Sequence, residues 1–476
     1  MADREYKFLI NGEWRKSPKK ETIKNPYNNE TVAHVYFAEE RDLEDAVLSS
    51  QKAFEITKRL PAYKRAEILK NIVKGLEQRK EEIAKTITVE AGKPITDSST
   101  EVLRAINTFQ IASEEAKRIE GEVIPLDLLP GSENRFGIVK RFPIGPILGI
   151  TPFNFPLNLV AHKIAPAIAS GNTIILKPAP KTPVTALLLG EIVSEAGLTA
   201  GGLNVIPCSN IMAEKLVTDE RIKKLSFTGS AAVGMKLKAL AGMKKVTLEL
   251  GGNAGAIIHS DVDIDFAAKR CTIGAFSFAG QICISVQRIY AQKNIYDRFL
   301  EKFLAHVKNL KMGDPMDEST NIGPMIDEKA GLRTEEWIKE AVADGAKILI
   351  GGKRNGNFFE PTVLTNTKPS MKVCKEEVFA PLVTVEKYER FEDAVSMVNN
   401  SIYGLQAGIF TRDIKNIFYA YNELLVGGVI VNDIPTYRAD HMPYGGVKMS
   451  GFGREGVRYA IEEMTELKLL ALNLAE

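Results

Sequence analysis

Apolar residues recur at helical spacing between charged ones at Ile68, Leu69, Ile72, Val73 and Leu76, and this pattern predicts an amphipathic helix. A short strand-like start, KFLINGEW, precedes it, and the rest of the first hundred residues reads as helical, with a second helix over Glu101 to Arg118. From Gly145 the texture changes to short apolar runs ended by glycine or proline: GPILGITPF, NTIILKPA, LNVIPC, KKLSFTG and KVTLELGG. Helical segments lie between them, at Pro183 to Ala196 and Ala213 to Val217. Strands alternating with helices imply a parallel sheet covered on both faces, with ligands at the carboxyl ends of its strands. After Gly252 the alternation resumes with AGAIIH, a helix through Phe266 to Phe278, the strand QRIYAQ and a helix from Tyr296 to Leu310. The run from Asn294 to Val431 is long enough for a second α/β domain, and the tail MTELKLLALNL reads as a strand that pairs outside the domain. No internal repeat and no low-complexity linker interrupts the chain.

At 476 residues the chain exceeds what one core usually supports, so two or three domains are expected. Its 62 basic residues nearly cancel 60 acidic ones, which removes the electrostatic case for nucleic acid or an anionic membrane. No uninterrupted apolar segment reaches the roughly 18 residues needed to span a bilayer. The start lacks a basic stretch followed by an apolar one, so no secretory signal is expected and the protein reads as cytoplasmic. Four cysteines (Cys208, Cys271, Cys283, Cys374) form no CxxC pair and five histidines are scattered, so neither a metal site nor a disulfide framework is expected.

The stretch FAGQICIS places Cys283 after Gly280 in an apolar surround, and upstream LELGG sets Glu249 at the end of an apolar run. A lone cysteine with a separate buried-looking carboxylate suggests a thiol nucleophile and its base. Taken singly, each residue also fits a packing role, and Asn154 in PFNFP fits a turn. The usual GxGxxG phosphate turn is absent. SFTGSAAVG offers instead a glycine turn at Gly229, then Ser230, with Gly234 opening a helix; this suits a phosphate or a plain tight turn. Lys177 in LKPAP is either a cation aimed at a ligand or a solvated lysine before a turn.

Together PFNFP, LKP, FTGS, LELGG, FxxxGQxC and EEVFAP, in this order over nearly the whole chain, resemble the aldehyde dehydrogenase superfamily. Ala380 stands where that family commonly has glycine. The resemblance implies an α/β fold with a Rossmann-like cofactor domain (1–120 and 142–250), an α/β catalytic domain (251–440) and a β-arm and tail for oligomerisation (121–141 and 456–476) in a homodimer or homotetramer. It further implies that Cys283 attacks an aldehyde and that Glu249 acts as base. Asn154 then donates to the oxyanion together with the Cys283 backbone N–H.

Lys177 resembles the family lysine that reaches the adenosine ribose or its phosphate, and Glu377 the glutamate that holds the nicotinamide ribose, with Phe379 packing nearby. Pro180 stands where NAD-selective members often carry a glutamate, so repulsion of a 2′-phosphate is removed; NADP is expected to be accepted, with NAD still open. The branch that the chain resembles contains lactaldehyde, sulfolactaldehyde, phosphonoacetaldehyde and non-phosphorylating glyceraldehyde-3-phosphate dehydrogenases. Of the four phosphate contacts in the last of these, Arg104 and Arg438 are kept, while Phe155 and Ile282 replace a tyrosine and an arginine. This points to a small aldehyde of lactaldehyde, sulfolactaldehyde or semialdehyde type, with a phosphorylated glyceraldehyde as the alternative. Arg104 could instead pair with Glu101, and Arg438 with Asp440, as ordinary ion pairs. A coenzyme-A-acylating enzyme is disfavoured by Glu249, and an inactive binding protein by the joint presence of Cys283, Glu249 and Asn154.

Overall fold

The computed structural model describes residues 4–474. Its first large sheet has eight strands, and the five at its centre are parallel: Lys245–Glu249, Lys224–Thr228, Pro146–Ile150, Thr173–Lys177 and Leu203–Val205, in that spatial order. These are the apolar runs that the sequence marks, and most of their residues are buried because helices cover both faces. The chain builds outward from Pro146–Ile150 in one direction, then returns to add Lys224–Thr228 on its other side. That reversal opens a crevice at the carboxyl ends of the two neighbouring strands. Thr151 to Asn154 leave one of them and Gly229–Ser230 the other.

A second sheet of seven strands runs Lys347–Ile350, Thr362–Thr365, Leu382–Tyr388, Val286–Gln292, Ala254–Ile258, Gln406–Phe410 and Gly428–Val431, parallel except for its first pair. Glu249 ends the last parallel strand of the first sheet and Ala254 begins the second, so LELGG is the passage between them.

The tail strand Thr465–Asn473 pairs antiparallel with Arg135–Pro143, from Thr465 opposite Pro143 to Asn473 opposite Arg135, and Glu122–Pro125 completes a three-stranded sheet. Leu467, Leu469 and Leu470 on that strand are at least half exposed.

The helix predicted around Ile68 is Ala62–Gln78, with all five apolar residues buried. The second is Ile95–Glu115, starting earlier than predicted because Pro94 sits before its first residue, where a missing N–H costs no hydrogen bond. The largely helical reading of the first hundred residues needs correction: Glu5–Tyr6, Phe8–Ile10, Glu13–Arg15, Lys20–Lys24 and Thr31–Tyr36 are strands, and the helices begin at Glu40. KETIK has one buried residue in five, so its pairing with Thr31–Tyr36 leaves little hydrophobic pattern to read. Among the described residues no helix is long and apolar enough to cross a membrane.

Candidate active site

The helix Ile264–Phe276 stops short of the predicted Phe278, and the chain reverses through Phe278, Ala279 and Gly280 at φ of 47°, 52° and 68°. Left-handed backbone at the first two residues costs about 1–3 kcal/mol each, so the surroundings must impose it. Gly280 is required: a Cβ there would come to 2.1 Å from the Ala380 carbonyl oxygen. This strained turn delivers Cys283 to the crevice between the sheets. Among the described residues it is the one cysteine of the four free thiols that is not buried. Burial pushes its pKa up to about 11; Glu377 and Glu249 add to the rise, while a Tyr444 hydrogen bond and Arg438 oppose it. Its Sγ lies 3.2 Å from Tyr444 Oη.

Glu249 is buried, and neither carboxylate oxygen has a hydrogen-bond partner. Desolvation, then repulsion from Glu455, raises its pKa well above the usual carboxylate range, against the pull of Arg438, Lys163 and Arg454. Glu455 is the charged partner, held down at about 2 by Lys163 at 3.0 Å and Arg438 at 3.2 Å despite its burial. Two carboxyl groups so close separate into one protonated and one ionised.

Asn154 donates its amide to the Gln281 carbonyl at 2.9 Å, tying the loop after the first sheet's middle strand to the cysteine turn. The second amide hydrogen is left for another acceptor.

Toward the cofactor side, Glu377 Oε1 accepts the Gly252 N–H at 2.9 Å, and burial raises its pKa to about 7. Phe379 has φ of 51° and meets Phe153 edge-on at 5.9 Å. Lys177 is 3% exposed and donates to Asn210 Oδ1 at 3.1 Å, so it is not a solvated lysine. Ser230 caps the helix Ala231–Leu240 without a side-chain cap bond, which leaves the helix's first N–H groups open to an anion. Gly234 lies inside that helix rather than opening it; a Cβ there would meet Leu250 at 2.3 Å, so its smallness serves packing. Pro180, Lys181, Ser209 and Asn210 line a groove of about 860 Å³ next to Lys177's partner, and Lys181 is ion-paired with Asp327. An open helix N-terminus, a buried lysine and an unusually basic carboxylate, spread along one crevice, fit the phosphates, adenosine and second ribose of a dinucleotide.

On the substrate side the arginines pair differently from either ordinary ion pair that the sequence offered. Arg104 bonds Asp440 at 2.7 Å, not Glu101, and Arg438 bonds Glu455, not Asp440. Glu101 is occupied by buried Lys93 and by the Leu157 and Asn158 N–H groups. Asp440 also meets His162 Nε2 at 3.0 Å, and Arg438 lies 3.6 Å over the Tyr444 ring with its Nε unpartnered. Phe155 and Ile282 belong to one apolar cluster with Phe278, Leu405 and Tyr444, and the Lys93 ammonium sits 3.8 Å over Phe155. Sequence reasoning missed Tyr444, Glu455 and Lys163. Only the aromatic ring before the glycine pair in PYGG hinted at the first, and buried charge partners distant in sequence leave no local signal.

The chain matches the Aldehyde dehydrogenase family over residues 14–470. It is 47% identical over 472 residues to the 3-sulfolactaldehyde dehydrogenase of Priestia aryabhattai, covering 99% of this chain and 98% of that one. Aldehyde dehydrogenase 21 from Physcomitrella patens, solved in complex with the reaction product succinate, superposes with a TM-score of 0.98 at 46% identity, covering 99% of both chains. The glyceraldehyde-3-phosphate dehydrogenase GapN from Methanocaldococcus jannaschii, complexed with NADP, gives 0.92 at 38% identity over 96% of this chain and 100% of that one. With a match of this length around that geometry, the chain belongs to the aldehyde dehydrogenase family and is an oxidoreductase.

Proposed function

We propose that the protein oxidises a small hydroxylated or anionic aldehyde, of lactaldehyde, sulfolactaldehyde or semialdehyde type, to its carboxylic acid, with NADP or NAD. The observation that carries the anionic preference is the charge balance beside Cys283. Arg438 and Lys163 share the single carboxylate Glu455 while Glu249 is held neutral, which leaves one cation uncompensated. A buried unpaired cation is costly and is relieved by one anionic group of a substrate. The names of the sulfolactaldehyde relative and the succinate-bound neighbour support the same class.

Cys283 Sγ attacks the carbonyl carbon, and the oxyanion takes the free Asn154 hydrogen and the Cys283 backbone N–H; one such donor typically contributes ~3 kcal/mol to the transition state. A bound NAD(P) supplies the hydride acceptor. Lys177 and Pro180 line the adenosine end, Gly229 and Ser230 the phosphates, and Glu377 with Phe379 the second ribose. Once Cys283 carries the thioester, Glu249 takes the proton of the attacking water, a role suited to a carboxylate whose pKa is raised toward neutrality.

The NADP-bound glyceraldehyde-3-phosphate neighbour keeps a second reading, a phosphorylated aldehyde, in view. The apolar packing of Ile282 and Phe155 disfavours it, because a phosphate carries more charge than one spare cation offsets. The three sheets suggest cofactor, catalytic and arm domains on the boundaries read from sequence. The exposed leucines of the tail strand suggest burial in a homodimer or homotetramer, and a cytoplasmic setting suits the free thiols. Specificity constants for lactaldehyde, sulfolactaldehyde, succinate semialdehyde and glyceraldehyde-3-phosphate, each with both nucleotides, test the reading. A preference for the phosphorylated aldehyde would overturn it.

A further inference from the structure

We propose that Tyr444 is a catalytic residue, whose phenol donates a hydrogen bond to the Cys283 sulfur whenever that sulfur is a thiolate. The inference rests on the reading of Cys283 as the nucleophile. Tyr444 Oη and Cys283 Sγ are 3.2 Å apart, and the ring is buried. Its backbone exchanges hydrogen bonds with Glu455 in both directions, at 3.0 and 2.7 Å, and the Arg438 guanidinium covers its face at 3.6 Å. Arg438 is itself fastened by the Glu455 carboxylate, so one residue holds the phenol from its main chain and from its ring face. Phenylalanine would fill the same space; nothing in the apolar cluster around the ring calls for an oxygen.

The chemistry fixes the direction of the bond. A thiolate has no proton to give, so the phenol is then the donor, provided that it keeps its own. Burial, the neighbouring Cys283 and Glu249 hold the Tyr444 pKa well above its usual value, against the pull of Arg438, and the proton stays on oxygen. A cation over the ring withdraws electron density and makes the hydroxyl a better donor. Charge-assisted bonds are about twice as strong as neutral ones, so the contact favours the thiolate over both the thiol and the carbon-bonded sulfur.

The same bond helps sulfur leave. As water adds to the thioester, an O–C bond forms and the water proton passes to Glu249. The C–S bond then breaks, its electron pair goes to sulfur, and the Tyr444 hydroxyl meets the returning charge. The groups facing the thiol are Glu249 and Glu377, which disfavour its charge, and Arg438 and Tyr444, which favour it. Tyr444 is the neutral one on the favouring side, so its substitution changes no formal charge.

The test reads the thiol directly. Alkylation of Cys283 by iodoacetamide is followed by mass spectrometry across pH on the full-length protein, without aldehyde or nucleotide. Tyr444→Phe is expected to move the midpoint up by about one pH unit, so that alkylation at neutral pH slows about tenfold. Substituting 3-fluorotyrosine at 444, a more acidic phenol in the same place, is expected to move it down, and this arm decides the matter should the phenylalanine variant not fold. An unchanged midpoint, or shifts of the same sign in both variants, would overturn the proposal. A purely structural role would lower the melting temperature without moving the titration. Turnover that survives Cys283→Ala would instead sink the nucleophile reading, a separate result.

Discussion

A Cβ on Gly445 would come within 2.9 Å of Glu249 Oε1, so the carboxyl of the proposed base packs against bare backbone. Gly445 also has φ of 153°, a conformation that side chains rarely adopt. Gly445→Ala should therefore displace Glu249 without touching Cys283. Steady-state turnover is expected to fall on the order of tenfold, part of the ~10²–10⁴ that a general base supplies. Cys283 alkylation at neutral pH should be kept, and its loss would mean that the whole site had shifted.

Glu249 also sets a pH dependence. Its pKa is raised, so the base form is scarce at low pH and grows as pH rises. Thioester hydrolysis should climb with pH through the Glu249 titration, and Glu249→Gln should remove that limb along with most turnover. A variant that keeps the wild-type rate and profile would show that another group is the base.

Glu377 gives a stability prediction with the same sign. Its folded pKa of about 7 lies above the ordinary 4.5, so its favourable contribution is complete below pH 4.5 and is lost as pH rises through 7. Glu377→Gln should raise the melting temperature relative to wild type at pH 8 and change it little at pH 5. The same variant should raise the KM for the nucleotide; an unaltered KM would remove Glu377 from the ribose.

The two arginines should behave differently. Arg104 is partly exposed, and its partner Asp440 keeps His162 and Asn158 when Arg104 is lost. Arg104→Ala should raise the KM for an anionic aldehyde about tenfold or more and leave propanal nearly unchanged, as fits loss of one charged contact. Arg438→Ala also releases Glu455 and the Tyr444 ring, so both substrates should suffer. Equal responses of both aldehydes to Arg104→Ala would remove the anion contact.

Pro180→Glu restores a carboxylate at the groove edge, where it would repel a 2′-phosphate. The kcat/KM with NADP is expected to fall about tenfold and that with NAD to hold. Parallel losses with both nucleotides would place Pro180 away from the phosphate.

The motifs around Cys283, Glu249, Asn154 and Glu377, and the buried strands that carry several of them, were legible in the chain. A strand covered on both faces must be apolar throughout, and a reactive residue at its end interrupts that run visibly, as Glu249 does after VTL. Helices such as Ala62–Gln78 announce themselves by the same logic at a period of 3.6. Short edge strands such as Lys20–Lys24 do not, because one buried residue in five makes no pattern.

What only the tertiary structure decided is who pairs with whom. Arg438 stands two residues before Asp440, yet it turns to Glu455, while Asp440 takes Arg104 from a helix more than three hundred residues upstream. Lys163 completes the cluster from a third element, and Tyr444 reaches the sulfur of Cys283 across 161 residues. Residue types along the chain set which groups can react. Charge balance and pKa depend on distances and burial that exist only once two sheets close over one crevice, and there Glu249 became neutral, Glu455 charged and Tyr444 a partner of the thiol.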